Sequence, residues 1–373
     1  MSYPPPPGGP PPGNPVPPQG YSGPYGPTPQ QPPWQQQWPA GPPPKKRGNA
    51  WKWLLGGVAL LAVIGVTVAV TISATSDGGG NNDPTPSGET FGLASADDTG
   101  PANIITEDPT CAAWTPINQT FGAALKKGWD KRDVSIPATD WSPELRAQYE
   151  GVAEGLRNAT DETVRLAKQT PHRVMRELYE QFIAYGRAFR DAVPTYTEKD
   201  NHLVAAAITS TNVLVYICSA IRYGSAEARF PLVDEPTQPS EVPQLEDPNH
   251  PSKLLTDADR TCSEWDRVLN AFNAETKAWQ ALDPNLAAAD WTEEQRTVVA
   301  SVVPKFEQSA DEFERLASQT SNLTLRDLAN FAAQYRRAYA EALPTYIVAD
   351  SYLDLTAYRV SSLIYEACKA VGQ

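Results

Sequence analysis

Four cysteines are the residues best suited to chemistry in this sequence. Cys111 and Cys218 lie 107 positions apart, and Cys262 and Cys368 lie 106 positions apart. None forms a C-x-x-C pair or stands beside a histidine at metal-ligand spacing, which argues against a zinc site. The four cysteines could therefore form disulfide bonds, be buried free thiols or include a catalytic thiol.

The three histidines do not complete a catalytic group. His172 and His202 align with Asn322 and Tyr352 when the two halves of the chain are superposed, and His250 lies in a proline-rich stretch. The sequence has no G-x-S-x-G, no H-E-x-x-H and no glycine loop of the kind that binds phosphate. We therefore expect no enzymatic activity, no cofactor and no metal.

Six pairs of polar residues recur in both halves, and three of these pairs are candidate binding residues. The candidates are Arg187 and Arg337, Tyr196 and Tyr346, and Asp200 and Asp350. An arginine, a tyrosine and an aspartate could line a polar groove. The same residues could instead be helix caps and interhelical ion pairs. We favour that structural interpretation.

An internal repeat explains why these residues occur twice. Shifting the chain by about 150 residues aligns Thr110-Cys111-Ala112-Ala113-Trp114 with Thr261-Cys262-Ser263-Glu264-Trp265. After Trp129, which meets Trp279, the alignment needs no gap as far as Cys218 and Cys368. So many matches of rare residues at one offset indicate a tandem duplication.

Each copy is predicted to be a bundle of about four helices. In the first copy, apolar residues step by three and four from Leu145 to Leu166, and Val299 to Leu316 carry the equivalent stripe. Ser142 and Thr292 supply the N-caps of these long helices. Further helices are expected at about 174–193 and from Pro194 to Tyr223, and again at 325–343 and 344–371. The predicted fold class is all-α.

The duplication also selects one pairing of the cysteines. Four cysteines allow three pairings. Only the pairing Cys111–Cys218 with Cys262–Cys368 gives each copy the same internal disulfide bond. Disulfide bonds persist in the oxidising space outside a plasma membrane. The alternative to these two bonds is four buried free thiols.

An apolar segment precedes the repeats. Trp53 to Ser73 contains 21 residues without a charge, enough for a helix of roughly 30 Å that crosses a bilayer core. A cleaved signal peptide is the alternative, but the leader is too long and no cleavage pattern follows cleanly. Lys45, Lys46, Arg47 and Lys52 precede the segment, so the positive-inside rule places the N-terminus in the cytoplasm and both modules outside.

The remaining segments are predicted to be tail, stalk and linker. We expect a disordered proline-rich tail (1–50), a transmembrane helix (51–75), a flexible stalk (76–108), module 1 (109–224), a proline-rich linker (225–257) and module 2 (258–373). Aromatic residues among the tail prolines could dock a protein partner, or the tail could be a solvated spacer. The formal net charge of −13 argues against nucleic acid as a partner.

The first 75 residues resemble a known class of envelope protein. The run PPPPGGPPPGNPVPPQGYSGPYG, the KKR stop and the segment after Trp51 are similar to the proline-rich single-pass membrane proteins of mycobacteria and related actinobacteria. The resemblance is one of architecture. It implies a cell-envelope location, and for many such proteins no assigned activity.

Topology and the lack of a catalytic pattern favour a non-enzymatic envelope protein. In this hypothesis the tail binds a cytoplasmic partner and the modules bind an extracytoplasmic protein or envelope component. The alternative is a ligand sensor with a pocket in each module, lined by Arg187 or Arg337. An envelope hydrolase or transferase would need a cleft that groups several perturbed carboxylates. The linker further predicts two modules that unfold independently.

Overall fold

The computed structural model describes residues 90–372, and its regular secondary structure is helical. The predicted tail, transmembrane segment and first part of the stalk lie outside the described residues. Within 90–372 there is no β-strand, so the all-α prediction is confirmed for this part of the chain. The ten helices are α1 (Cys111–Leu125), α2 (Pro143–Gln169), α3 (Arg173–Ala192), α4 (Asn201–Arg222), α5 (Ser225–Arg229), α6 (Cys262–Glu275), α7 (Lys277–Gln280), α8 (Glu293–Gln319), α9 (Leu323–Ala342) and α10 (Ser351–Ala370).

The two long helices begin where the sequence predicts. The Ser142 hydroxyl accepts a hydrogen bond from the Leu145 amide at the start of α2, with Pro143 in the first turn. Thr292 and Gln295 form a capping box at the start of α8. Both helices bury the predicted apolar stripe, which runs from Tyr149 to Leu166 in α2 and from Val299 to Leu316 in α8.

Each predicted copy is a helical bundle closed by one disulfide bond. Cys111 on α1 is bonded to Cys218 on α4, and Cys262 on α6 is bonded to Cys368 on α10. The predicted pairing is confirmed, and the described chain has no free cysteine. Each bond connects the first helix of a copy to its last long helix.

The largest helix–helix contact joins the two copies to each other. Helices α4 and α10 pack along their lengths. His202 at the start of α4 meets Glu366 near the end of α10, with 2.7 Å between Nδ1 and Oε2. At the other end, Tyr223 stacks on Tyr352 with ring centroids 5.4 Å apart. The two helices are therefore antiparallel.

The segment before α1 packs against the helices, which corrects the stalk prediction over residues 93–108. Leu93, Ala102, Ile104 and Ile105 are buried in this segment. The Ile105 amide donates a hydrogen bond to the hydroxyl of Tyr335 on α9, 3.3 Å away. Because these apolar side chains have helices from both copies to pack against, the segment is part of the folded body.

The segment before α6 makes the reciprocal contact, which corrects the linker prediction. The Leu255 amide donates to the hydroxyl of Tyr185 on α3, 3.5 Å away, and Leu254 and Leu255 are buried. Tyr185 and Tyr335 occupy equivalent positions in the two copies. Each copy thus sends its N-terminal segment onto the other copy's second long helix.

The two copies share one core, in place of the two separate cores expected of independent modules. Buried apolar residues of both copies form a single continuous cluster. Trp114 packs on Tyr179 and Phe182 within copy 1, and Trp265 packs on Phe313 within copy 2. The contact between copies is therefore made by α4, α10 and the exchanged segments, and the two tryptophans lie in separate parts of the core.

The shared core accounts for the unusual composition of α4. The stretch Glu198–Arg222 is, within the described residues, the one helical stretch long and apolar enough to cross a membrane. It packs against α1, α3 and α10 and more than half of its most apolar part is buried. A helix surrounded by others is apolar on all sides, which gives it the composition of a membrane span.

A pair of glycine substitutions tests the packing of α3 on α2. A Cβ at Gly186 would lie 2.8 Å from Thr160 Cγ2 and 3.3 Å from Leu156 Cδ2, whereas a Cβ at Gly151 meets nothing within 4 Å. Gly186→Ala should lower the free energy of unfolding by about 1–3 kcal/mol. Gly151→Ala should raise the free energy of unfolding by about 0.5–1 kcal/mol, because alanine loses less backbone conformational entropy than glycine when the helix forms. Urea denaturation measures both, and equal effects from the two variants would contradict the packing.

Candidate functional site

Tyr196 and Tyr346 anchor equivalent turns in the two copies. The Tyr196 hydroxyl donates to the Val134 carbonyl at 2.9 Å, and the Tyr346 hydroxyl donates to the Pro284 carbonyl at 2.7 Å. Burial is the main reason that the pKa of each phenol is raised. The hydroxyls hold the preceding loop against the turn that follows α3 or α9.

Asp200 and Asp350 cap the turns before α4 and α10. Asp200 Oδ2 accepts the amide and hydroxyl hydrogen bonds of Thr197, and Asp350 Oδ2 accepts the Ile347 amide. Asp350 is fully buried and also forms an ion pair with Arg229 of α5, with 2.8 Å between Nη2 and Oδ2. Asp350 therefore links the predicted linker to copy 2, whereas Asp200 serves its own copy.

Arg187 and Arg337 face acidic residues of the preceding long helix. Arg187 lies 3.1 Å from Asp161, and Arg337 lies 2.9 Å from Asp311 and 2.7 Å from Glu314. Two hollows of the described region are an open depression of about 410 Å³ beside Thr90 and Lys168 and a small cavity of about 30 Å³ in copy 2. Neither Arg187 nor Arg337 lines either of them, and a pocket lined by these arginines stays a prediction.

The six candidate residues are thus not brought together, and each has a polar partner within the protein. The structure supports their role as caps and ion pairs, and ligand binding by them stays a prediction. Within residues 90–372, no three His, Cys, Asp or Glu side chains are grouped as metal ligands.

The junction of the copies contains a buried ionic cluster that sequence reasoning missed. Arg173 Nε lies 2.7 Å from Asp327 Oδ2 and 3.7 Å from Glu177 Oε1, and all three side chains are 2% exposed. Glu177 and Asp327 occupy equivalent positions of the repeat, whereas Arg173 has Leu323 as its counterpart. Two equivalent acids therefore meet between α3 and α9 and share the Arg173 guanidinium.

Burial perturbs the acids of this cluster. Desolvation, followed by the neighbouring Asp327 charge, raises the pKa of Glu177 well above its usual value. Burial also raises the pKa of Asp327, although the Arg173 guanidinium opposes this. Glu180, one turn further along α3, has its pKa raised to about 8 by burial, against the effect of Arg176 3.4 Å away. Glu180 is consequently mostly protonated at neutral pH, and Glu177 binds its proton more tightly than an exposed glutamate.

Asp108 and Asp259 form a second pair of missed structural residues. Asp108 accepts hydrogen bonds from the Thr110 amide and hydroxyl and from the Thr170 hydroxyl. Asp259 makes the same contacts with Thr261 and Thr320. Each aspartate ties the start of the first helix to the end of the long helix. The signal was the D-x-T-C pattern, which occurs before both first cysteines.

An apolar patch lies where the two copies join. In residues 90–372, five large apolar side chains are exposed by 40–49%: Tyr223, Phe230, Leu232, Ile347 and Val348. The Arg229 guanidinium holds their segments together, because it bonds Asp350 and also the Thr345 hydroxyl at 3.0 Å. The five exposed apolar side chains therefore lie on neighbouring segments at the junction of the copies.

The apolar patch has no equivalent in copy 1. Ile347 and Val348 align with Thr197 and Glu198, which are polar. Phe230 and Leu232 follow α5, in the segment that joins the two copies. The patch thus depends on both the joining segment and the second copy, so it exists only because the copies are fused.

Comparison with known proteins places the chain in a family. The sequence profile of a family described as "Mycobacterial ESX-1 associated protein" matches residues 93–372. The chain belongs to this family. An uncharacterized protein of Mycolicibacterium smegmatis (strain MKD8) is 45% identical over 345 residues, which cover 91% of each chain. No solved structure matches the sequence.

The extent of the family match agrees with the extent of the folded body. It begins at residue 93, where the packed segment before α1 begins, and it includes both copies and the joining segment. The family unit is therefore the fused pair. The mycobacterial type of protein predicted from the first 75 residues is supported by this family and by the relative.

The raised pKa values of Glu177 and Glu180 predict an unusual dependence of stability on pH. In the unfolded chain Glu177 and Glu180 ionise near their ordinary pKa of 4.5, so from pH 5 to 8 the unfolded state binds fewer protons than the folded state. The free energy of unfolding should fall over this range, by on the order of 3 kcal/mol. Urea denaturation at pH 5, 6.5 and 8 measures the slope.

The matched variants are Glu177→Gln and Glu180→Gln, which keep the side-chain shape and remove the titration. Each should flatten the slope, whereas Glu162→Gln, at an exposed position of α2, should leave it unchanged. A stability that rises from pH 5 to 8, with no effect of either variant, would contradict the raised pKa values of these two acids.

Proposed function

We propose that this chain is a non-enzymatic accessory protein of the ESX-1 secretion system that docks a protein partner on the apolar patch. The family supports the association with ESX-1. The observation that carries the docking is the concentration of exposed Tyr223, Phe230, Leu232, Ile347 and Val348 at the junction of the copies. Soluble folded proteins seldom expose such side chains together unless a partner covers them.

The chemistry of the patch indicates the kind of partner. Its centre is aromatic and aliphatic, and the adjoining Arg229 is engaged internally by Asp350 and Thr345. An apolar face of a partner, such as one side of an amphipathic helix, suits this surface. Aromatic anchors such as Tyr223 and Phe230 commonly supply most of the binding energy in such contacts.

In this proposal the protein links two sides of the plasma membrane. Trp53 to Ser73 would be the anchor, the proline-rich tail would face the cytoplasm, and the folded body would lie outside. The two disulfide bonds support an oxidising location for the body. Protease added to intact spheroplasts should degrade the body and spare the tail, and protection of the body would contradict this orientation.

Charge placed on the patch tests the docking. The double substitution Phe230→Asp/Leu232→Asp should leave the fold intact because both side chains lie at the surface, outside the buried core. It should abolish binding of the partner and lower ESX-1 secretion to the level of a strain without the protein. The readouts are secreted ESX-1 substrates and photo-crosslinking from a benzoylphenylalanine placed at Tyr223.

Asn158→Asp is the matched control, since it adds charge at an exposed site on α2. It should leave crosslinking and secretion unchanged, with both variants as abundant as the parent chain. Normal secretion by the double variant would overturn the role of the patch. Normal secretion by the strain without the protein would overturn the association with ESX-1.

A further inference from the structure

The two copies differ at one aromatic cluster, and the difference leaves a small cavity in copy 2. In copy 1 the Tyr149 ring fills the centre of the cluster, with its centroid 5.0 Å from Trp129, 4.0 Å from Trp141 and 4.7 Å from Tyr196. The equivalent of Tyr149 in copy 2 is Val299. The space is a cavity of about 30 Å³, lined by residues that include Trp279, Trp291, Val299, Tyr339, Tyr346 and Asp354.

Copy 1 carries its own cation on this cluster. The Arg132 guanidinium carbon lies 3.5 Å from the centroid of the Trp129 ring and 5.7 Å from that of Tyr149. Arg132 also donates a hydrogen bond to the side-chain oxygen of Asn201. Cations are attracted to the negative faces of aromatic rings. The aromatic cluster of copy 1 therefore already has a bound cation from within the protein, the Arg132 guanidinium.

Copy 2 lacks that cation and has acquired a carboxylate. Leu282 stands at the position of Arg132, and Asp354 stands at the position of Val204. Asp354 is 3% exposed and lines the cavity. Burial raises the pKa of Asp354 to about 6, so the carboxyl group is ionised at pH 7.5.

The nearest arginine does not take the place of Arg132. One nitrogen of Arg336, Nη1, lies 2.5 Å from Asp354 Oδ1. The guanidinium itself lies outside the cavity lining and over other rings, 4.3 Å from the centroid of Phe272 and 5.3 Å from that of Phe306. Asp283, an exposed residue, also lines the cavity. The formal charge of the two aspartates and Arg336 is therefore negative beside a hollow lined by four aromatic residues.

We propose that this cavity binds a small alkylammonium group, which takes the role that Arg132 has in copy 1. Aromatic faces and a carboxylate attract a cation and disfavour an anion. The volume exceeds what one water needs but is far below that of an ordinary drug-sized pocket. The ligand is thus a primary ammonium no wider than methylammonium, either a free ion or the end of a longer molecule. This inference does not depend on docking at the apolar patch.

Fluorine NMR of the full chain labelled with 5-fluorotryptophan tests the site directly. Methylammonium should shift the resonances of Trp279 and Trp291 and saturate with a Kd on the order of 10 mM, as expected for a ligand of two heavy atoms. Methanol, its neutral counterpart, and tetramethylammonium, which is too wide, should produce no saturating shift. Tighter binding of Nα-acetyl-lysine amide than of methylammonium would assign the site to the end of a longer molecule, and the reverse would assign it to the free ion.

Swapping residues between the copies provides matched controls. Val299→Tyr places in copy 2 the ring that Tyr149 supplies in copy 1, so it should fill the cavity and abolish the shifts. Val299→Leu fills the cavity only in part and should weaken binding at least fivefold. Tyr149→Val opens copy 1, but Val204 supplies no carboxylate there, so the resonances of Trp129 and Trp141 should not respond. Shifts that do not saturate, or that persist in folded Val299→Tyr and Val299→Leu chains, would overturn the proposal.

Discussion

The structure depends on how two equivalent acidic side chains are accommodated where the copies meet. Fusion of two similar units about an approximate twofold relation brings equivalent positions face to face, so Glu177 and Asp327 share one buried site. Two buried carboxylates cannot both remain ionised without large cost. The chain accommodates them by one asymmetric substitution, Arg173 in place of Leu323, and by a raised pKa of Glu177 that favours its neutral form.

Arg173 also positions the chain segments around the junction of the copies. The Arg173 guanidinium donates to the Asp98 and Gly100 carbonyls, which holds the segment before α1 over the ends of both helices. The exchanged contacts of Ile105 with Tyr335 and of Leu255 with Tyr185 then bind each N-terminal segment to the opposite copy. Because the antiparallel α4 and α10 bury their apolar faces against each other, neither copy has a complete core alone.

The sequence predicted the elements that depend on local pattern or on the repeat itself. The caps at Ser142 and Thr292, the long helices and both disulfide bonds follow from residues read within one copy. The stalk and linker were misjudged because their prolines and polar residues resemble those of unstructured chain, whereas Ile104, Leu254 and Leu255 pack on helices far away in sequence. The acids at the junction were missed for the same reason, since nothing in the sequence shows that Glu177 meets Asp327. The apolar patch and the copy 2 cavity required knowledge of which side chains remain uncovered.

Calorimetry of the full chain is the most direct test that the two copies form one body. The double substitution Cys262→Ala/Cys368→Ala removes the disulfide of copy 2 and leaves copy 1 covalently unchanged. A shared core predicts one unfolding transition for residues 90–372, which moves as a whole to lower temperature in the variant, by an amount corresponding to about 2–5 kcal/mol. Two transitions, of which only one moves, would show that the copies unfold separately and would contradict the fused junction.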